Sequence, residues 1–279
     1  MTDIKEHKAI VDYGIGIGTY KLTGKICVDI VCVGLKMGYR LIDTAVLYKN
    51  HMEIAEGIKQ SGIDRKLLYI SSKIHDSTQK AQKKDKNAIY NSVIQILNEL
   101  QITYLDQLLL HSAVKNTYLS SWKIMEELKA NGLVINIGVS NFRIDELKNI
   151  LKQCVIKPYV NQIEVSPFCT RECLVNYCKQ NGIVVQAYGS LTVGRRLNDH
   201  MLIKYAEMLN VKPSFLLLYW AIRKGYIIIP KSDNENHLIE NLKVSENMII
   251  CRDNISIVME ELDKLNENYY TIWKHADKV

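Results

Sequence analysis

The chain has 279 residues, of which 47% are hydrophobic, and these values suit one large globular domain or two ordinary ones. Lys and Arg outnumber Asp and Glu by only 36 to 30, and the excess lies in scattered lysines, so a nucleic-acid partner is not expected. The seven cysteines include no Cys-x-x-Cys pair, which argues against a disulfide framework and against a zinc site.

Hydropathy gives no sign of export or of a membrane anchor. Residues 1–8 are too charged for a signal peptide, and no apolar stretch reaches the length of a transmembrane helix. We therefore expect a cytoplasmic protein with no membrane partner, and we expect it to be a monomer. Cys169, Cys173 and Cys178 are expected to lie on one helix, buried as small hydrophobic side chains.

Short apolar runs alternate with segments of helical periodicity along the whole chain. The runs predict eight strands, at 15–19, 40–43, 67–72, 107–111, 135–139, 159–164, 184–187 and 226–230. The helical segments lie at 24–37, 50–60, 87–100, 118–131, 143–153, 171–181, 199–223, 234–241 and 252–266. Asn131-Gly132 and Asn181-Gly182 each end a helix with residues suited to a left-handed stop.

A strand followed by a helix, repeated eight times, is typical of a parallel sheet with helices on its outer face. The run Ile227-Ile228-Ile229 is continuously apolar, as in a strand buried on both faces. No Pro/Gly/Ser-rich linker divides the series. We predict one α/β domain over 1–279, a closed (β/α)8 TIM barrel, with a doubly wound open sheet as the competing topology.

Three ionisable residues close consecutive predicted strands: Asp43 the second, Lys73 the third and His111 the fourth. Because the carboxyl ends of barrel strands meet at one rim, these side chains are expected to converge. Tyr48 follows Asp43 by five residues. Taken singly, each residue has a structural interpretation, as a turn cap, a surface lysine, a core histidine or a packing aromatic. Their joint placement favours a catalytic site.

A phenol, an ammonium, a carboxylate and an imidazole brought together can deliver a proton. A tyrosine hydroxyl has a pKa of about 10, too high for an efficient acid at neutral pH. We expect Lys73 to lower the pKa of Tyr48, and Asp43 to pair with Lys73 and keep it charged. His111 is expected to hydrogen-bond the substrate oxygen.

The segment Gly38-Tyr39-Arg40-Leu41-Ile42-Asp43-Thr44-Ala45, with Tyr48 and Asn50 after it, resembles the first signature of the aldo-keto reductases. The segments that end at Lys73 and at His111 are similar to those with the family's lysine and histidine, and the similarity continues in order from about residue 14 to 266. The resemblance implies reduction of an aldehyde or ketone to an alcohol without a metal. The implied cofactor is NADPH, with NADH as the alternative, and the implied catalytic residues are Tyr48, Asp43, Lys73 and His111.

The resemblance also implies a cofactor site along the same rim. Thr19 and Tyr20 would border the cofactor and the substrate. Ser140, Asn141 and Gln162 would bind the nicotinamide carboxamide, and Tyr188 would stack on the ring. The other implied cofactor contacts are Ser190, Leu191, Lys231, Ser232, Asn234, His237, Glu240 and Asn241.

Some positions depart from the family pattern in ways that affect specificity. Ser112 follows the histidine where tryptophan is usual, and His75 lies where tryptophan is frequent. With Tyr20, these residues predict a substrate pocket that is wider or more polar than in typical members. His237 replaces an arginine that commonly grips the adenosine 2′-phosphate, so the preference for NADPH is expected to be weaker.

Other interpretations are less consistent with these residues. Gly14-x-Gly16-x-Gly18 imitates a dinucleotide-binding fingerprint but lacks its spacing. A Schiff-base role for Lys73 would require a desolvated amine rather than one paired with Asp43. The main alternative is a catalytically weak member of the same fold that binds the cofactor as a sensor or structural subunit.

Overall fold

The computed structural model describes residues 10–244 and 254–272. Its sheet has eight parallel strands in sequence order, each paired with the next. The strands are β1 Gly16–Gly18, β2 Leu41–Asp43, β3 Tyr69–Ile74, β4 Leu105–Leu110, β5 Val134–Ser140, β6 Val160–Glu164, β7 Val184–Tyr188 and β8 Ile227–Ile228.

Helices follow the strands and cover the outside of the sheet. They are α1 Gly24–Met37, α2 His51–Ser61, α3 Asp76–Ala81, α4 Ala88–Leu100, α5 Tyr118–Ala130, α6 Ile144–Gln153, α7 Glu172–Gln180, α8 His200–Met208, α9 Pro213–Arg223, α10 Glu235–Leu242 and α11 Ile255–Asp263. The strands form a nearly closed barrel, which confirms the predicted (β/α)8 TIM-barrel fold. That 1–279 forms a single domain remains a prediction.

The barrel closes through a short seam between its first and last strands. Isolated bridges join Ile15 to Ile228 and Gly18 to Lys231. Backbone hydrogen bonds from Ile228 N to Gly14 O (3.0 Å) and from Gly18 N to Pro230 O (3.1 Å) complete it. The seam therefore has few bonds, and it ends beside residues expected to hold the cofactor.

Side chains alternate between the barrel interior and the helical layer, as the strand period of two requires. On β3, Ser72 points out to α2, where its Oγ lies 3.1 Å from His51 Nε2. Its neighbours on either side along the strand, Ser71 and Lys73, make their hydrogen bonds inside the barrel. The carboxyl end of the barrel interior is therefore polar. Lys73 was expected at the site, whereas Ser71 was predicted only as part of a buried strand.

The Asn-Gly stops are confirmed, since Gly132 and Gly182 follow α5 and α7 with φ of 74° and 64°. The single helix predicted at 199–223 is wrong, because α8 and α9 are separate helices. Asn210 adopts φ 48° between them and Pro213 begins α9, a position where a missing N–H costs nothing.

One helix was not predicted, one prediction about the cysteines needs correction, and one predicted helix lies partly outside the described residues. α3 was not predicted, because its lysine-rich surroundings resemble a solvated loop. Cys169 is not on α7, because its backbone forms a bridge with Ser166 in the turn before that helix. Cys173 is on α7 but is exposed, so the prediction that it is buried is wrong. Of the helix predicted at 252–266, residues 252 and 253 lie outside the described part, and α11 accounts for the centre of the remainder.

Candidate active site

Asp43, Lys73 and His111 meet at the carboxyl rim of the barrel. Lys73 Nζ donates to Asp43 Oδ2 at 2.7 Å and to the Thr44 carbonyl at 2.9 Å. It also lies 3.3 Å from the Tyr48 hydroxyl oxygen. The Lys73 side chain is only 1% exposed, so its charge depends on these oxygen partners rather than on water.

The loop after β2 holds Tyr48 in place, and Asn50 holds that loop. Tyr48 ends a short 3-10 turn, Val46–Tyr48. The buried Asn50 accepts a hydrogen bond from Thr44 Oγ1 (2.9 Å) and donates to the carbonyls of Thr19 (2.9 Å) and Leu22 (3.0 Å). In the sequence, Asn50 is recognisable only as part of a motif. In the structure, Asn50 ties the loop after β1 to the loop after β2.

Burial has the largest effect on the pKa values of Tyr48 and Lys73. It raises the pKa of Tyr48 well above the ordinary value, and the charge of Asp43 raises it further. Burial also lowers the pKa of Lys73, against the opposing effect of Asp43. The expected net lowering of the Tyr48 pKa is therefore not found, because burial and the charge of Asp43 raise it, although the expected Lys73–Asp43 pair is present.

The imidazole of His111 completes an arc of rings at the mouth of the barrel. Its ring centroid lies 6.1 Å from that of Tyr48 and 6.5 Å from that of His75, and Tyr20 lies 5.0 Å from Tyr48. Burial, with the charge of Lys73, lowers the pKa of His111 to about 3, so the ring is neutral at physiological pH. Each ring in the arc has a polar atom, which makes this wall polar.

The other two predicted pocket residues have local partners. His75 Nδ1 accepts a hydrogen bond from Ser77 N (3.2 Å) and so caps α3. Ser112 is 9% exposed, and its hydroxyl donates to Asp76 Oδ1 at 2.7 Å. The His75 ring thus forms one end of the arc of rings, whereas the hydroxyl of Ser112 is engaged with Asp76.

The residues expected to bind a nicotinamide carboxamide lie together beside the four predicted catalytic residues, here called the tetrad: Asp43, Tyr48, Lys73 and His111. Ser140 Oγ donates to the Gln162 carbonyl (2.9 Å), and Asn141 Nδ2 donates to the His111 carbonyl (3.0 Å). The Tyr188 hydroxyl donates to Asn141 Oδ1 (2.6 Å). Gln162 Nε2 donates to Asp43 Oδ1 (2.7 Å), which links this group to the tetrad.

A second group of predicted residues lies around β7, β8 and α10. Lys231 is bridged to Gly18, one residue before the buried Thr19, and its Nζ lies 3.1 Å from Asp233 Oδ2. Ser232 Oγ accepts from Asn234 N (3.0 Å), and Asn234 caps α10. Three predicted residues lie on α10: the exposed His237, the buried Asn241, and Glu240, whose carboxylate pairs with Lys212 Nζ at 2.5 Å. Ser190 and Leu191 follow β7.

One polar atom of this group fits a role in holding a ligand. Ser190 is 5% exposed, and its Oγ has no hydrogen-bond partner in the described part of the chain. A buried hydroxyl without a partner is costly unless a ligand satisfies it. With the basic Lys231 across the seam from β1, the residues present suit a nucleotide cofactor with phosphate groups.

Comparison with known proteins supports the family resemblance noted in the sequence. The Aldo/keto reductase family model matches residues 14–260. Glyoxal reductase of Bacillus subtilis (strain 168) is 34% identical over 266 residues, which cover 95% of this chain and 93% of that protein. The chain belongs to the aldo/keto reductase family.

Solved structures of aldo-keto reductases share the barrel. A deep-sea metagenome enzyme, MGS-M4, superposes with a TM-score of 0.85 at 28% identity, over 95% of each chain. The aldose reductase of Schistosoma japonicum gives 0.83 at 26% identity, over 94% of this chain and 91% of that one. Methylglyoxal reductase DkgB of Yersinia pestis is a further relative, 36% identical over 231 residues, or 81% of this chain and 85% of that protein.

No helix in ranges 10–244 and 254–272 is both long and apolar enough to cross a bilayer. Within the same ranges there is no group of three or more His, Cys, Asp or Glu side chains arranged to hold a metal ion.

Proposed function

We propose that this aldo-keto reductase reduces small aldehydes and ketones to alcohols with NADPH, or with NADH, and that Tyr48 delivers the proton. The observation that carries the proposal is the contact of the Tyr48 hydroxyl with Lys73 Nζ at 3.3 Å, with Asp43 behind the lysine at 2.7 Å. Family membership supports an oxidoreductase. The proton donor, the cofactor and the substrate class are our inferences.

The raised pKa of Tyr48 keeps its hydroxyl protonated at neutral pH but makes it a weaker acid, so proton donation depends on the nearby charge of Lys73. As negative charge develops on the substrate oxygen, Tyr48 donates its proton to that oxygen. Lys73 is near enough to stabilise the phenolate that remains, and Asp43 holds the lysine in position. A bound reduced nicotinamide supplies the hydride in this chemistry.

His111 acts as a neutral hydrogen-bond donor rather than as an acid. With a pKa of about 3, its ring has one N–H to offer a carbonyl oxygen. Its Nδ1 is buried and has no partner in the described part of the chain, which leaves Nε2 to contact the substrate. His111 therefore orients the carbonyl and Tyr48 protonates it.

The substrates that we propose are small and polar, with α-dicarbonyl compounds among them. The arc of Tyr20, Tyr48, His111 and His75 surrounds the reacting position with rings that each have a polar atom. Relatives are named glyoxal reductase and methylglyoxal reductase, and glyoxal and methylglyoxal are small α-dicarbonyls. Bulky apolar carbonyls would find few apolar partners at this wall.

Tyr48→Phe tests the proposal directly. It should lower kcat at least about a hundredfold, while the affinity for NADPH stays within about twofold, because only the proton donor is removed. The assay follows loss of reduced-nicotinamide absorbance with methylglyoxal, glyoxal and propanal. Tyr90→Phe, an exposed tyrosine on α4, is the matched control and should match the wild type.

The reductase hypothesis and the cofactor-binding alternative predict different results in this assay. Cofactor binding without turnover of any carbonyl by the wild-type protein would favour the catalytically weak, cofactor-binding alternative. Turnover that survives in Tyr48→Phe would show that the proton comes from another group. The cytoplasmic location and the monomeric state remain predictions from the sequence.

A further inference from the structure

Three glutamine side chains inside the barrel are joined to the tetrad by hydrogen bonds. Gln162 on β6, Gln186 on β7 and Gln107 on β4 are all buried, the last two at 0% exposure. Gln162 Nε2 and Gln107 Nε2 both donate to Gln186 Oε1, each at 3.1 Å. Gln186 is therefore the shared acceptor at the centre of this network.

Both hydrogens of the Gln162 amide nitrogen are used. One is donated to Asp43 Oδ1 at 2.7 Å and the other to Gln186 Oε1. Rotation of the amide by half a turn would place its oxygen against the Asp43 carboxylate and against the oxygen of Gln186, which is repulsive. Asp43 and Gln186 together therefore determine which way the amide faces.

The consequence is that only the oxygen of Gln162 remains for a ligand. Gln162 Oε1 accepts no hydrogen bond from any residue that the structure describes. An amide oxygen can accept but cannot donate, so it matches an N–H donor such as the amino group of a carboxamide. The orientation of Gln162 is thus already the one that such a ligand would need.

We propose that Gln186 is a positioning residue for cofactor binding: it holds the Gln162 amide with its oxygen towards the nicotinamide carboxamide. The inference rests on the proposed function, because the ligand is the cofactor named there. Gln186 acts through Gln162 and touches neither the cofactor nor the substrate. Gln162 in turn links the cofactor position to Asp43, the partner of Lys73.

Gln186 itself is poorly satisfied, which favours a role beyond packing. Its Oε1 accepts two hydrogen bonds, but its Nε2 is buried without a partner in the described residues. A buried donor without an acceptor is destabilising, and an apolar side chain would avoid that cost. The acceptor oxygen is the part of Gln186 that the network uses.

The test measures NADPH and NADH affinity by the change in cofactor fluorescence on titration. Gln186→Leu removes the shared acceptor and should weaken binding about tenfold, the effect of one well-placed hydrogen bond. Gln186→Glu restores an acceptor of the same length, because a carboxyl group at this depth is protonated, and should bind within about threefold of the wild type. Far-ultraviolet circular dichroism and thermal melting confirm that each variant is folded at the titration temperature.

Gln107→Leu is the matched control, because it removes a glutamine of equal burial that donates to Gln186 but not to Gln162. It should bind cofactor within about twofold of the wild type even if its melting temperature falls. Folded Gln186→Leu with wild-type affinity, or equal losses in Gln107→Leu and Gln186→Leu, would overturn the inference. Failure of the wild-type protein to bind either cofactor would overturn the proposed function, and the inference with it.

Discussion

Tyr48, Lys73 and His111 have pKa values displaced by burial, each in the direction that disfavours its charged form. For Lys73 the ion pair with Asp43 opposes that displacement. The hydroxyl of Tyr48 therefore holds its proton more tightly than in water, and the ammonium of Lys73 holds its proton less tightly. Transfer of a proton from Tyr48 to Lys73 is thus disfavoured in this site, and the tyrosine stays neutral until a substrate oxygen takes its proton.

His111 makes a testable contribution to acid sensitivity. Its folded pKa of about 3 lies below the ordinary value of 6.5, so between these pH values the unfolded chain binds a proton that the folded protein does not. The free energy of unfolding should therefore decrease as the pH is lowered through this window, by up to about 1.4 kcal/mol per pH unit from this group. Urea denaturation of the wild type at a series of pH values measures the slope.

His111→Gln is the comparison, since a neutral amide does not titrate. The variant should lose less stability than the wild type between neutral pH and about pH 4. Parallel losses in the two proteins would show that His111 binds its proton equally in the folded and unfolded states. The pH profile of kcat/KM should likewise show no inflection from His111 near neutrality.

Asp233 is expected to weaken binding of the adenosine 2′-phosphate. Lys231 lowers the pKa of Asp233, so this carboxylate is ionised and lies 3.1 Å from the ammonium expected to face the phosphate. Asp233→Asn should raise the ratio of NADPH to NADH affinity about three- to fivefold, the range of an exposed ion pair. Glu235→Gln, an exposed carboxylate two residues away, should leave the ratio unchanged, and equal titrations for both variants would refute the role of Asp233.

At the residue scale, the charged groups and Gln162 were predictable from the sequence, but Gln107 and Gln186 were not. Asp43, Lys73 and His111 are recognisable because each closes an apolar run, and their convergence follows from barrel geometry. Gln107 and Gln186 lie within such runs and make contacts across the barrel, to strands distant in sequence. Only the direction of each side chain, set by strand register, brings them together.

At the scale of elements, a buried hydrogen-bonded chain joins β3, α2 and α4. His51 on α2 lies 2.9 Å from Glu99 on α4 through Nδ1 and 3.1 Å from Ser72 on β3 through Nε2. Since the carboxylate accepts, Nδ1 has the proton and Nε2 accepts from the hydroxyl. Ser72 is fully buried, so this serine, histidine and glutamate arrangement is structural.

His51→Ala should lower the free energy of unfolding by about 2 to 3 kcal/mol, because Ser72 loses its buried partner and three elements lose their connection. Chemical denaturation at neutral pH measures the change. His200→Ala, at an exposed position on α8, should change stability by less than about 0.5 kcal/mol. Similar values for the two variants would mean that α2 is held by apolar packing alone.

Element boundaries were predictable where the chain signals a stop and less so where it does not. The helices that end at Gly132 and Gly182 have such signals. The break between α8 and α9 also has one, Asn210 with Pro213, but apolar periodicity continues through it and obscured it. α3 is short and depends on the His75 side chain as its cap, a contact that residue type alone does not indicate.

At the scale of the whole molecule, the barrel depends on close backbone approach at its seam. A Cβ on Gly18 would lie 2.5 Å from the Ile229 carbonyl oxygen, so Gly18→Ala must push β8 away. We expect a loss of about 1 to 3 kcal/mol in the free energy of unfolding and weaker NADPH binding. Gly34→Ala in α1, whose Cβ would meet the flexible end of the Ile17 side chain on β1, should cost less. Comparable losses in the two variants would show that the seam is not a special point of weakness.

The position of this seam has a consequence for the lifetime of the protein. Thr19 directly follows β1, and Lys231 and Ser232 lie shortly after β8. A cofactor that contacts residues after both strands would therefore span the few bonds that close the barrel. Binding at a hundred times Kd adds about 2.7 kcal/mol to the free energy of unfolding. Resistance to proteases should then rise with the concentration of the nicotinamide nucleotide. The abundance of the protein in the cell would follow that concentration.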